Sequence, residues 1–346
     1  MSSLMQPGTQ TAVRQAGIFP IHVEGTGKYL PPHVVTAEEI DDLTGMPRGW
    51  TLRHSGVAER RFVTKESAAF MGAEALRGAL GECPQNSSPV DLLICAAAAP
   101  QQLIPCTAAL VARELGWNGV PCLDVNAICL SFLAALDLAS CLIVARRYER
   151  IAIVSSEIAS KGLNWAEPES AALMGDGAAA AVIGAAAEGA SSALLRFRME
   201  TWPEGADLTQ IRGGGNALPA KLHRPGVNTK EFLFHMDGPG IFRLASERME
   251  SFVAGLVGTA RNRWDAVDVV IPHQGSLLAM RHLRKRLEIP REKIVEIAAN
   301  HGNVIAASLP MALHEAIVQG RLKEGQTALL LGTSAGFSLG GALLRY

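Results

Sequence analysis

Short, almost wholly apolar runs alternate with longer helical stretches along the chain. That alternation confines it to an α/β fold with largely parallel sheets. Runs at 90–98, 121–125, 150–155, 178–183, 267–271 and 294–297 have the length of buried strands, and two more, 326–331 and 336–344, close the chain. Helical segments fall between them at 71–80, 107–115, 128–147, 240–261, 277–287 and 306–319. With 346 residues, 48% of them hydrophobic, the chain can build two core-forming halves. The halves are similar in outline without a repeat at the level of identity, and the division falls at 187/188. Residues 188–231 read as an irregular covering loop rich in Gly, Pro and Asn, including Gly213-Gly214-Gly215.

A formal net charge of −1 provides no global field for nucleic acid or an anionic membrane. The longest apolar run, 127–145, is interrupted by Ser131, Asp137 and Ser140, and so reads as a buried helix rather than a membrane span. The first 19 residues have no apolar centre and read as a loose arm, not a signal peptide. Six cysteines without CxxC or metal-type spacing are expected to be reduced thiols in a cytoplasmic protein, with no metal site.

Three junctions attract chemical interest. In 124–132 (DVNAICLSF), Cys129 lies where a strand gives way to an apolar helix. Unpaired N–H groups and the helix dipole at such a point favour thiolate, although a small core cysteine fits the position too. In 269–276 (VVIPHQGS) a buried strand delivers His273 at its carboxyl end, where α/β folds place ligand-binding groups. A structural histidine is the plain alternative. In 300–308 (NHGNVIAAS), Gly302 permits an unusual backbone angle beside Asn303, though Asn is also ordinary turn chemistry. A small-residue loop at 332–336 (GTSAG) would let a backbone N–H approach a ligand, as would any tight hairpin.

Order and spacing unite these segments. Cys129, then His273, then Asn303, then the glycine-rich loop resemble the ketoacyl synthase III family of condensing enzymes. Residues 50–61 (WTLRHSGVAERR) resemble that family's W-x-x-x-R-T-G-I-x-x-R-R segment, 174–180 (MGDGAAA) its F-G-D-G-A-A-A turn, and 336–346 (GFSLGGALLRY) its carboxyl-terminal G-F-T-W-G-x-A-L-x-R. The resemblance covers nearly the whole chain. It implies a thiolase-like fold of two pseudo-duplicated halves in an α-β-α-β-α layering, 1–187 carrying the nucleophile and 188–346 the His and Asn.

The resemblance also implies roles. Cys129 would take an acyl group from acyl-CoA or acyl-acyl carrier protein. His273 and Asn303 would hold the carbonyl of a malonyl thioester through its decarboxylation, and the N–H groups of Cys129 and Ala335 would form the oxyanion hole. Trp50, His54, Ile104 and Phe337 fall where substrate contacts are implied, and no metal or redox cofactor is. A homodimer is implied, with Ile104 in a loop reaching the partner. His54 stands where the family has Arg against the coenzyme A nucleotide. Leu278 replaces a basic residue of the carrier-protein docking site, for which Arg281, Arg284, Lys285 and Arg286 on the same helix could substitute. Leu130-Ser131-Phe132 resembles the branch joining two long acyl chains head to head, but that branch has Glu where Ile104 stands. An apolar side chain there cannot act as a base, which favours a decarboxylative donor. The other readings are acyl transfer or thioester hydrolysis from Cys129 without condensation, and a non-catalytic partner subunit.

Overall fold

The computed structural model describes residues 17–85 and 87–346. The amino-terminal arm expected over residues 1–19 lies outside the described residues except at its last three positions.

The chain begins with strand β1 (Ile21–Tyr29) and the paired strands β2 (His33–Thr36) and β3 (Glu59–Phe62), with helices α1 (Ala37–Thr44) and α2 (Trp50–Ser55) between the last two. Next come α3 (Ala68–Glu82), β4 (Leu92–Ala96), α4 (Thr107–Leu115), β5 (Cys122–Val125), a 3₁₀ turn at Ile128–Leu130 and α5 (Ser131–Val144). After them come β6 (Arg150–Glu157), α6 (Pro168–Ala171) and β7 (Gly177–Ala185). The first sheet has the order β1-β7-β6-β4-β5, with β4 parallel to β5 and β6 and the other pairs antiparallel.

Beyond β7 come β8 (Ala193–Thr201), a two-stranded ribbon of β9 (Thr209–Gln210) and β10 (His235–Met236), and α7 (Gly238–Val257). They are followed by β11 (Val269–Pro272), α8 (Leu277–Arg286), α9 (Ala298–His301), a 3₁₀ turn at Ile305–Ala307, α10 (Ser308–Val318), β12 (Thr327–Ser334) and β13 (Ser338–Arg345). The second sheet has the order β11-β12-β13-β8, with β11 parallel to β12 and the rest antiparallel. A bridge from Val270 to Ile294 sets one further segment parallel beside β11. Both sheets thus repeat one pattern, parallel pairs on one side and antiparallel pairs on the other, so they are mixed rather than largely parallel.

Burial divides the molecule into five layers. Ala69, Met71, Leu76 and Val111 of α3 and α4 cover Leu93, Cys95, Ala152 and Val154 on the outer face of the first sheet. Its inner face and that of the second sheet enclose α5 and α10, with Leu133, Leu136, Leu309 and Leu313 between Ile94, Ile153, Ile271 and Leu330. Met249, Phe252, Val253 and Leu256 of α7 cover the outer face of the second sheet. This is the thiolase-like α-β-α-β-α arrangement.

The pattern of residues misleads in three places. β1 contains Gly25 and Gly27, which weaken a strand signal. They are required because α3 packs so closely that a Cβ on either would collide with backbone of Ala75 or Ala79. β8 lies inside the segment expected to be irregular. Its charged Arg196 and Arg198 interrupt the apolar run, yet both guanidiniums reach back to carbonyls of α7, at Leu256 and Phe252. Conversely, 294–297 forms a single bridge instead of a strand. The buried Gln274 side chain takes the place of a neighbouring strand there, accepting from the N–H of Ile297 (2.9 Å) and Ala298 (3.2 Å) and donating to Val295 O (3.1 Å).

Candidate active site

Two turns of the same design face each other at the seam between the sheets. In the first, Asn126 Oδ1 accepts from Ile128 N (2.9 Å), Ser131 Oγ accepts from Ala127 N (2.9 Å), and Ile128 adopts φ +52°. In the second, Asn303 Oδ1 accepts from Ile305 N (2.9 Å), Ser308 Oγ accepts from Val304 N (3.0 Å), and Ile305 adopts φ +44°. Each turn launches a central helix, α5 or α10. The shared string Asn-x-Ile-x-x-Ser at 126–131 and 303–308 is the repeat that a search for longer identity misses.

The twins differ in what they present. The fourth position is Cys129 in the first turn and Ala306 in the second. The first Asn is engaged structurally, Asn126 Nδ2 donating to Ala98 O (2.9 Å). The Nδ2 of Asn303 makes no hydrogen bond among the described residues, and its amide orientation is locked by Oδ1. Asn303 itself is tied through its backbone to Leu173 O (2.7 Å) and Gly175 N (3.0 Å), which accounts for the MGDGA string. Gly302, at φ +68° and pressed against Leu173 O, could not be replaced by a residue with a side chain.

Cys129 lies one turn ahead of α5, not in the helix. Although the residue is partly exposed, burial of its surroundings pushes the thiol up to about 12, and the Glu157 carboxylate adds to the rise. The N–H groups of Ala335 and Cys129 and the Ser334 hydroxyl act the other way, which sets all three beside the sulfur. The expectation of a ready thiolate is therefore corrected: desolvation outweighs the donors and holds Cys129 as the thiol. Ser334 Oγ gives its hydrogen to Ala127 O (2.8 Å), joining the end of β12 to the cysteine turn.

His273 follows β11 and donates its N–H to Leu331 O on β12 (2.7 Å). Beyond Leu331, Gly332 leaves little room for a side chain, because Leu130 and the Cβ of His273 would each lie 3.0 Å from an added Cβ. The imidazole is buried and held neutral, down at about 4, and its Nδ1 has no partner among the described residues. Cys129, His273, Asn303 and Ala335 thus converge on one seam.

The remaining candidates divide. Trp50 and His54 share α2 with their rings stacked at 4.3 Å, and His54 is exposed. Leu103 and Ile104 project from the loop before α4, 80% and 84% exposed. Arg281, Lys285 and Arg286 lie exposed on α8 and Arg284 is half-buried there. Phe337 is no surface for substrate: at 1% exposure it packs beneath α7 against Trp202, filling the outer core of the second sheet. Two residues escaped the sequence reading, Ser334 and the buried Glu157. Alignment of the two Asn-x-Ile-x-x-Ser turns would have found both, since it also superposes the last residues of β6 and β12.

Comparisons with known proteins agree with this geometry. The family model 3-Oxoacyl-[acyl-carrier-protein (ACP)] synthase III matches residues 123–203, and its C-terminal counterpart matches 259–346. A beta-ketoacyl-[acyl-carrier-protein] synthase III of Aquifex aeolicus is 32% identical over 322 residues, 93% of this chain and 98% of that protein. One of Neisseria gonorrhoeae is 30% identical over 331 residues, 94% of this chain and 98% of its own length. The crystal structure of the Aquifex aeolicus synthase covers 94% of this chain and 100% of its own, with a TM-score of 0.83 at 30% identity. A variant of Xanthomonas campestris OleA matches with a TM-score of 0.82 over 96% of this chain and 100% of its own, at 20% identity, a likeness of fold alone.

Proposed function

Because the chain belongs to the 3-oxoacyl-[acyl-carrier-protein] synthase III family, we propose that it condenses an acyl group carried on Cys129 with a malonyl thioester, as a condensing enzyme of fatty acid synthesis. The Cys129 thiol attacks the acyl thioester, and the carrier thiol leaves with the proton. Malonyl decarboxylation then releases CO₂ and leaves an enolate, whose oxygen accepts from the neutral His273 imidazole and from Asn303 Nδ2. The enolate carbon attacks the acyl-Cys129 carbonyl, and the tetrahedral oxyanion is held by the N–H groups of Cys129 and Ala335. Collapse expels the Cys129 sulfur as thiolate, which takes up a proton from solvent to restore the thiol, and forms the ketoacyl thioester. Loss of CO₂ drives the bond formation, so this chemistry draws on no metal or redox cofactor.

The strongest support is the pairing of an Asn303 amide free to donate with a cysteine whose sulfur faces two backbone N–H groups. Transfer or hydrolysis without condensation would leave Asn303 without a task, and a silent subunit would need none of these groups.

Further parts of the reading rest on the surface. Trp50 and His54 receive a coenzyme A or carrier-protein arm. The basic face of α8, with Arg281, Arg284, Lys285 and the exposed Leu278, docks an acidic carrier protein. A second copy adds along β5, an edge strand of the first sheet, and covers Leu103 and Ile104 so that Ile104 bounds its acyl pocket. All six cysteines are free, in keeping with a reducing cytoplasm, and among the described residues no helix is long and apolar enough to cross a membrane. Intact mass spectrometry across acyl thioesters of several lengths should detect a single adduct, absent in Cys129→Ala. Product formation should release malonyl CO₂; acyl turnover indifferent to malonyl thioester would overturn the assignment.

A further inference from the structure

The twin turns expose a residue with no place in the reaction as described. β6 and β12 end in register, at Glu157 and Ser334, and each end packs against the turn of the other half. Ser334 meets the Cys129 turn, as described above. Glu157, in the equivalent place, lies beside the Asn303 turn near Ala306 and close enough to Cys129 for its charge to push the thiol up. Its Oε1 accepts from Ala98 N (2.6 Å), at the root of the loop that carries Ile104. Its Oε2 is buried and has no partner among the described residues. A carboxyl group in this position borders the Ala98 loop, the Asn303 turn and the surroundings of Cys129.

We propose that Glu157 is a positioning residue that acts on Cys129: as the neutral acid it braces the Ala98 loop and the Asn303 turn, and as the carboxylate it suppresses ionisation of the thiol. Burial, which places Glu157 up at about 8, puts the changeover within reach of experiment. Other groups near it do not mask this. Asp176 on the approach to β7 is clasped by Ser160 and Val63 N, Cys95 on β4 is driven far up by burial, and His273 stays neutral. The proposal rests on Cys129 being the nucleophile.

The test is the pH dependence of Cys129 alkylation by iodoacetamide, read on the Cys129 peptide because Cys141 is exposed too. The logarithm of the rate should climb with pH and bend to a shallower slope near pH 8 in the parent protein. Glu157→Gln should abolish the bend and react on the order of tenfold faster above it, the change expected for about one pKa unit. Glu157→Asp should keep a bend. A straight profile in the parent, or the same bend in Glu157→Gln, overturns the proposal. If the Gln variant does not fold, the parent profile still decides, because the climb resumes above the bend only when a neighbouring group, and not the thiol itself, is titrating there. Failure of acyl thioesters to form any Cys129 adduct would instead sink the assignment of the nucleophile, so the two failures are distinguishable.

Discussion

Replacing His273 with Asn should remove a large part of the protein's sensitivity to acid. In the unfolded chain the imidazole titrates at its ordinary 6.5, whereas in the fold burial holds it down at about 4. Between these values the unfolded state binds the proton and the folded state does not, so stability is present above 6.5 and is lost as pH falls towards 4. The full difference is about 3 kcal/mol, of which about 2 kcal/mol is lost between about pH 7.5 and about pH 5. His301 and His314 are also held down by burial, and Glu157 is shifted the opposite way, but all three are shared by parent and variant and cancel in the comparison. Urea unfolding at one protein concentration, at both pH values, measures the change for each protein. The parent should lose about 2 kcal/mol more than His273→Asn on acidification. Equal losses would mean that the imidazole is solvated in the fold, and the argument that it serves as a neutral donor would fall with it.

Other substitutions probe the scaffold and the donor pair. Asn303→Asp keeps an oxygen for Ile305 N but removes the Nδ2 donor. CO₂ release from malonyl thioester should fall on the order of a hundredfold while the acyl-Cys129 adduct still forms by mass spectrometry. Gln274→Ala strands the backbone groups of Pro272, Val295, Ile297 and Ala298, and should lower stability in urea by about 3 kcal/mol, with faster amide exchange at Ile297 and Ala298. Gly27→Ala drives a methyl into the backbone of α3 and should destabilise by about 3 kcal/mol, read from the same unfolding curve. Thr36→Ala removes a capping box with Glu39 and should lower stability by about 1 kcal/mol, a modest drop in Tm.

Where one periodicity and one burial state govern a segment, the residues announce the element. Helix 107–115 was expected with the bounds found, because it is short, amphipathic and closed by Gly116 in the left-handed region. Elements whose residues serve two masters stay hidden. β1 gives up strand-forming side chains at Gly25 and Gly27 so that α3 can approach, and β8 alternates core residues with arginines that fasten α7. The segment 294–297 errs in the other direction, because an apolar string cannot reveal that Gln274 will occupy its pairing edge. In the site, Cys129, His273 and Asn303 are legible as residues at junctions. The protonation of Cys129 is not, because a favourable helix end and an unfavourable buried setting have opposite signs and only the packing decides between them. Phe337 stands within a recognisable string, yet the string encodes the hairpin and its core, not a contact with substrate.

The twin turns draw their surroundings from opposite halves. Cys129 belongs to the first half, but the groups beside its sulfur, Ala335 N–H and the Ser334 hydroxyl, come from the end of β12 in the second. Asn303 belongs to the second half, but its backbone is held by Leu173 and Gly175 and its turn rests on Glu157, all in the first. Each turn therefore obtains its local shape from its own Asn and Ser and its working environment from the opposite sheet. A change at either strand end therefore bears directly on the 3₁₀ turn of the other half, β12 against Ile128–Leu130 and β6 against Ile305–Ala307.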